Sequence, residues 1–348
     1  MLKKSIFLTL LLSFHAVALS QIGIESKQFT DNNRSRTIST YILYPTNEAS
    51  TPKTYAQNTA FWGFEAIENA PISSQKLPLY IMVHGTSGNW RNLSWLASKL
   101  AKEGAIVVSA NHPDYTSGNA TPDSVIKMWN QPKDVSFIID SMLKTTTYGN
   151  FINKEKIAVI GYSLGGYTAL ALAGAQLDMH KYVDFCSHHQ DKACNYFKPT
   201  FNTFNKQYYT QTSQPLTDQR INATISIAPG FVESMTSHSL TNIKVPSLII
   251  GAEQDKNLPP STHFKPYISD FSANIIYQEI ADASHFSFMQ QCRPKAPAIL
   301  AEEGAAFVCM DGKKKSRKEI HNELYLLISN FIQEKLQLKK HVNIANQN

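Results

Sequence analysis

Three residue types that can perform covalent acyl transfer follow one another along the chain: Ser163, Asp255 and His285. A serine hydroxyl scarcely ionises at neutral pH. It needs a base within hydrogen-bond reach, and the base needs an acid to orient it. Ser163 lies in Gly161-Tyr162-Ser163-Leu164-Gly165, after the apolar run Ile157 to Ile160 and before a helix-compatible run of Ala and Leu. Between strand and helix, Gly-x-Ser-x-Gly reads as a nucleophile elbow. Side chains flanking so tight a bend would clash, so glycine occupies 161 and 165.

Asp255 closes Gly251-Ala252-Glu253-Gln254-Asp255, just beyond an apolar run at 246–250, with Glu253 as the alternative acid. His285 follows the run 275–280 in Ala281-Asp282-Ala283-Ser284-His285-Phe286, and Phe286 and Phe288 would help exclude water there. Asp282 is tethered too closely to His285 to orient it. A developing oxyanion needs two N–H donors. One is the backbone of Leu164, at the start of the helix. The other is expected from Thr86, in His84-Gly85-Thr86-Ser87-Gly88 after the run 79–83. His84 reads as a structural histidine beneath that loop. Trp129, Phe231 and Phe286 are candidate substrate walls, with core packing the ordinary role of the first two.

These residues need a scaffold that brings strand ends together on one rim. Residues 22–29 and 36–44 alternate apolar and polar around a turn and predict a hairpin. Residues 45–77, rich in Asn, Ser, Thr and Pro, predict a long loop. Strands are expected at 79–83, 105–110, 222–227, 246–250 and 275–280, besides the elbow strand. Helical periodicity marks 91–102, 133–144 and 318–336. Alternating strands and helices imply a mostly parallel central sheet covered on both faces. Residues 176–220 are polar and aromatic without clear periodicity, which predicts a lid-like insertion.

With 348 residues and 43% hydrophobic content, the chain can fill one large α/β core. A net charge of +6 over that length lacks the clustered basicity of a nucleic-acid binder, so no nucleic-acid partner is expected. Residues 1–20 carry Lys3 and Lys4, an apolar stretch and Ala18-Leu19-Ser20, the pattern of a secretory signal peptide. The stretch is shorter than the roughly 20 residues that span a bilayer. The remaining hydrolase domain is expected over 21–340, exported to the periplasm or the medium. Four cysteines in an exported chain point to disulfides, and three pairings exist. The local pairs Cys186–Cys194 and Cys292–Cys309 are favoured because each closes a short surface loop. None of these pairs has Cys-x-x-Cys metal spacing, and the chemistry asks for no metal or cofactor.

His84-Gly85-Thr86, Asn111-His112-Pro113, Trp129-Asn130-Gln131-Pro132-Lys133-Asp134-Val135, the elbow, Ala228-Pro229-Gly230 and His285-Phe286-Ser287-Phe288 occur in this order. As a set, over about 36–335, they resemble bacterial α/β-hydrolases labelled predicted dienelactone hydrolases, which are similar to plasma-type platelet-activating factor acetylhydrolases. The resemblance implies a Ser-Asp-His esterase on Ser163, Asp255 and His285, with a cysteine-bearing loop after the base. Dienelactone hydrolases use a cysteine nucleophile, so dienelactone is discounted as substrate. The expectation is a secreted serine esterase acting on a short-chain or lipid-like ester. An amidase or peptidase on the same fold, and a non-catalytic binding module, are the alternatives. The basic run Lys313 to Lys318 offers a transient contact with anionic lipid head groups, though such runs are more often solvated.

Overall fold

The computed structural model describes residues 21–74 and 76–337. The expected signal peptide, and the end of the expected domain at 338–340, lie outside them. The expected hairpin is β1 (Gln21–Asp31) and β2 (Arg36–Thr46), paired antiparallel throughout. Asp31 closes its turn by accepting the N–H groups of Asn33 and Arg34.

The region 45–77 is not one loop. It holds two short strands, β3 (Lys53–Tyr55) and β4 (Phe64–Glu68), which pair antiparallel. β4 also pairs parallel with β1 through Gly23–Ile67 and Ile24–Glu68. Only Ala66 and Ile67 are buried in β4, too short a signal to stand out among polar neighbours.

The remaining strands are β5 (Leu77–Val83), β6 (Ile106–Asn111), β7 (Ile152–Tyr162), β8 (Ala223–Ile227), β9 (Ser247–Ala252) and β10 (Ile275–Ile280). The ten-stranded order is β10-β9-β8-β7-β5-β6-β2-β1-β4-β3. From β10 to β6 every pairing is parallel. β2 then joins β6 antiparallel. Every residue of β5 is buried, as a parallel strand covered on both faces requires. Tyr80 and Met82 meet the helices Ser94–Lys102 and Arg317–Lys335, through Leu96, Leu100, Ile320, Leu324 and Ile328. Leu79, Ile81 and Val83 meet Val135, Ile138, Ile139 and Met142 of the helix Asn130–Lys144.

The insertion at 176–220, whose sequence shows no clear periodicity, is largely helical. It contains helices Met179–His188, Lys192–Phe197 and Lys206–Thr212 and a 3-10 turn at Lys198–Thr203. Asp178, Asp191 and Asn205 cap the three helices with side-chain oxygens. Each helix is too short to print a long amphipathic pattern. Tyr182, Phe185 and Phe197 pack into one apolar cluster with Leu164, Tyr167 and Leu170 of the elbow helix. Both expected disulfides are formed, Cys186–Cys194 and Cys292–Cys309.

Candidate functional site

Ser163 stands between the end of β7 and the helix Leu164–Ala173. Its φ of 55° and ψ of −117° place a non-glycine residue in the left-handed half of backbone space. Such strain persists only where the surroundings impose it. Here its N–H donates to Ile227 of β8, and its C=O accepts from Gly166, Tyr167 and Gly230. A Cβ on Gly161 would lie 1.8 Å from the Gly165 carbonyl oxygen, and one on Gly165 would lie 2.2 Å from that of Val83. The helix therefore rests directly on the backbone that ends β5.

Asp255 follows β9 and is buried. Its Oδ1 accepts N–H groups from Asn257 at 2.8 Å and Leu258 at 2.9 Å. Its Oδ2 lies 2.6 Å from His285 Nδ1. His285 opens a 3-10 turn after β10, and its Nε2 lies 3.2 Å from Ser163 Oγ. An ionised carboxylate only accepts, so Nδ1 carries the proton and Nε2 is left to accept from the serine hydroxyl. Three strand ends thus bring Asp255, His285 and Ser163 into one hydrogen-bonded line. The backbone oxygen of His285 accepts from Tyr162 Oη at 2.9 Å, and Phe286 meets its ring edge-on.

Glu253 is exposed and accepts the Asp282 N–H instead of facing the imidazole. Asp282 also points elsewhere: its carboxylate accepts the successive N–H groups of Lys313, Lys314 and Lys315. Neither acid competes with Asp255 for His285.

The loop after β5 passes against Ser163. A Cβ on Gly85 would lie 2.8 Å from Ser163 Cβ. Gly88 N–H donates to the Gly85 carbonyl, closing a turn that contains Thr86. Leu164, first in its helix, has no intrahelical acceptor for its N–H. His84 lies beneath, fully enclosed. Its Nδ1 donates to the Gly85 oxygen, and its Nε2 accepts from the His112 N–H at 3.2 Å. Burial, reinforced by His112, pushes its pKa down to about 3, so it is neutral at physiological pH.

Sequence reasoning missed the charged bed under this loop. His112 Nδ1 meets Asp134, which is fully buried. Arg36 grips Asp134 in two places at 2.9 Å, and Arg34 adds a third bond at 2.8 Å. Burial alone would raise the Asp134 pKa, but His112 and Arg36 hold it below the ordinary carboxylate value. The available signal was polar Gln131 and Asp134 on the apolar face of a helix that buries Val135 and Ile138.

The three expected wall residues differ in placement. Trp129 is half-buried, with its ring 6.1 Å from Tyr208 of the insertion. Phe286 is half-buried between His285 and Phe307. Phe231 is enclosed by Tyr167, Tyr182 and Phe197, so its side chain packs behind the site rather than forming an open wall. Among the described residues, no group of three or more His, Cys, Asp or Glu is arranged to hold a metal ion.

A family model described as the prolyl oligopeptidase family matches residues 91–268. Cutinase est1 of Thermobifida alba is 24% identical over 207 residues, covering 58% of this chain and 51% of the relative. Cutinase 1 of Thermobifida cellulosilytica is 23% identical over 207 residues, covering 58% of each chain. This chain therefore spans about half the length of the curated relatives it matches. Ferulic acid esterase from Streptomyces cinnamoneus superposes with a TM-score of 0.64 at 15% identity, covering 96% of this chain and 95% of that one. The fold is that of an α/β-hydrolase.

Proposed function

The chain belongs to the prolyl oligopeptidase family, and from that premise we propose that it is a serine hydrolase of carboxylic esters. Ser163 attacks the ester carbonyl while His285 Nε2 takes its proton. Asp255 holds the imidazole in the productive tautomer and stabilises the imidazolium. The Leu164 and Thr86 N–H groups receive the oxyanion. The imidazolium then protonates the departing alcohol, and water activated by His285 releases the acid from the acyl-enzyme. The unbroken line from Asp255 Oδ2 through His285 to Ser163 Oγ carries this reading.

Ester rather than amide chemistry is supported by the cutinases and the ferulic acid esterase to which the chain is similar. The motif resemblance to platelet-activating factor acetylhydrolases, together with the aromatic insertion at 176–220, supports a short-chain or lipid-like ester. In this reading the insertion is a lid, and Trp129 and Phe286 border the acyl group. Export is supported by the leader-like pattern at 1–20 and by two disulfides, which persist in oxidising compartments. Exposed Phe307 and Met310 flank Cys309, and the basic run from Lys313 follows. Together they support transient contact with a lipid surface.

Membership of a family named for oligopeptide cleavage favours a second reading, amide hydrolysis by the same residues. A chain-length series of 4-nitrophenyl esters, run beside 4-nitroanilides, separates the two. Esters are expected to turn over and anilides not. Ser163→Ala should lower ester turnover by on the order of 10⁴-fold or more with the fold intact. Comparable turnover in that variant would remove the mechanism. Failure of a fluorophosphonate to label Ser163 in the folded protein would favour a non-catalytic module.

A further inference from the structure

The two N–H groups assigned to the oxyanion belong to different elements. Leu164 begins the elbow helix, whereas Thr86 sits in the loop after β5. Nothing in either element alone fixes their separation, yet donors of this kind must be held to within about 0.5 Å. Besides the direct packing of Gly165 on the end of β5 and of Gly85 on Ser163, one side chain is hydrogen-bonded to both parts. Gln131, 1% exposed, donates from Nε2 to the His84 carbonyl at 3.0 Å and accepts at Oε1 from Thr168 Oγ1 at 2.8 Å. Its orientation is dictated, since a carbonyl oxygen can only accept and the amide NH₂ must therefore face His84. The His84 carbonyl lies one residue ahead of Gly85, and Thr168 stands one turn beyond Leu164. Gln131 itself rides on a helix anchored through Asp134 to Arg34, Arg36 and His112.

We infer that Gln131 is a positioning residue that sets the spacing between the Thr86 and Leu164 N–H groups. The inference rests on the ester-hydrolase reading above. Gln131→Leu keeps the bulk and removes both hydrogen bonds. Thr168→Val cuts the same bridge from its other end, and Thr168→Ser keeps the hydroxyl.

The expected result is a loss in kcat of about tenfold to a hundredfold in Gln131→Leu and Thr168→Val, with KM within about twofold, because the misplaced donors act on the transition state. Thr168→Ser should stay near wild type. The double variant should lose no more than the worse single, since both sever one bridge. A merely structural role predicts lowered Tm with kcat per folded molecule unchanged. That outcome in Gln131→Leu, or in Thr168→Val should the first not fold, overturns the inference. Retained turnover in Ser163→Ala would instead sink the underlying hydrolase reading, so the two failures are distinguishable.

Discussion

Two disulfide-closed loops flank the site, and they do different work. Cys186–Cys194 spans 8 positions in the insertion, with both cysteines buried among Tyr182, Phe185 and Phe197. Cys292–Cys309 spans 17 positions on the rim beyond His285, where Met310 is exposed and the Phe307 ring lies 5.0 Å from Lys192 Nζ of the first loop. Loop-closure entropy alone gives them about 2.5 and about 3 kcal/mol. That near-equality means their effects must differ through what each loop touches.

The chain just after the rim loop is fastened beside His285. Asp311 accepts from Ser287 Oγ at 2.6 Å and from the Arg317 guanidinium, and Ser284 Oγ donates to the Met310 carbonyl. Ser284 and Ser287 bracket His285. The insertion loop is fastened to a wall instead. Asp191, beside Cys194, meets His263, which also faces Glu233, each at 3.0 Å. One loop is tied to the residues on either side of His285, and the other to His263 and, through it, Glu233.

Breaking each disulfide is the strongest test of that contrast. Cys292→Ser with Cys309→Ser should lower kcat about tenfold with KM little changed, as a loosened base predicts. Cys186→Ser with Cys194→Ser should instead raise KM several-fold and shift the preferred ester length. Steady-state kinetics on the two pairs decides it, and identical profiles would erase the distinction.

A smaller effect should appear with pH, and in opposite directions. Burial opposes charge on His263, but Glu233 and Asp191 hold its pKa up at about 10. A raised pKa gives stability that is complete below the ordinary 6.5 and is lost as pH climbs through about 10. On the rim side, His321 donates to the Ser287 or Met289 carbonyl, and burial with Arg317 pushes its pKa down to about 3. Its contribution is present above 6.5 and is lost as pH falls toward 3. Limited proteolysis should therefore open the insertion first in alkali and the rim first in acid, with His263→Gln and His321→Gln each flattening its own side.

The smallest effect is expected at the surface. Lys313→Glu with Lys314→Glu should move stability by less than about 0.5 kcal/mol and leave turnover of soluble 4-nitrophenyl acetate unchanged. Sedimentation with anionic vesicles should fall.

The convergence of Ser163, Asp255 and His285 was legible because each sits where an apolar run stops, and only glycine fits at 161 and 165. β4 was hidden because its own buried content is two residues, its near partner β3 has only three residues with none buried, and its other partner, β1, lies some forty residues earlier. The insertion's helices were hidden by brevity. Gln131 and Asp134 were visible as letters but not as roles, because a buried polar group acquires meaning only from partners that the fold supplies. For Asp134, two of those partners come from the amino-terminal hairpin.

That last contact bears on assembly. Arg36 is joined to Asp134 across 98 positions of sequence. During synthesis the arginines appear first and wait for their carboxylate. Closing so wide a span is slow relative to local helix formation. The Ser163–His285 contact spans 122 positions, so it cannot form until later still in synthesis, after the hairpin's arginines already have their carboxylate within reach.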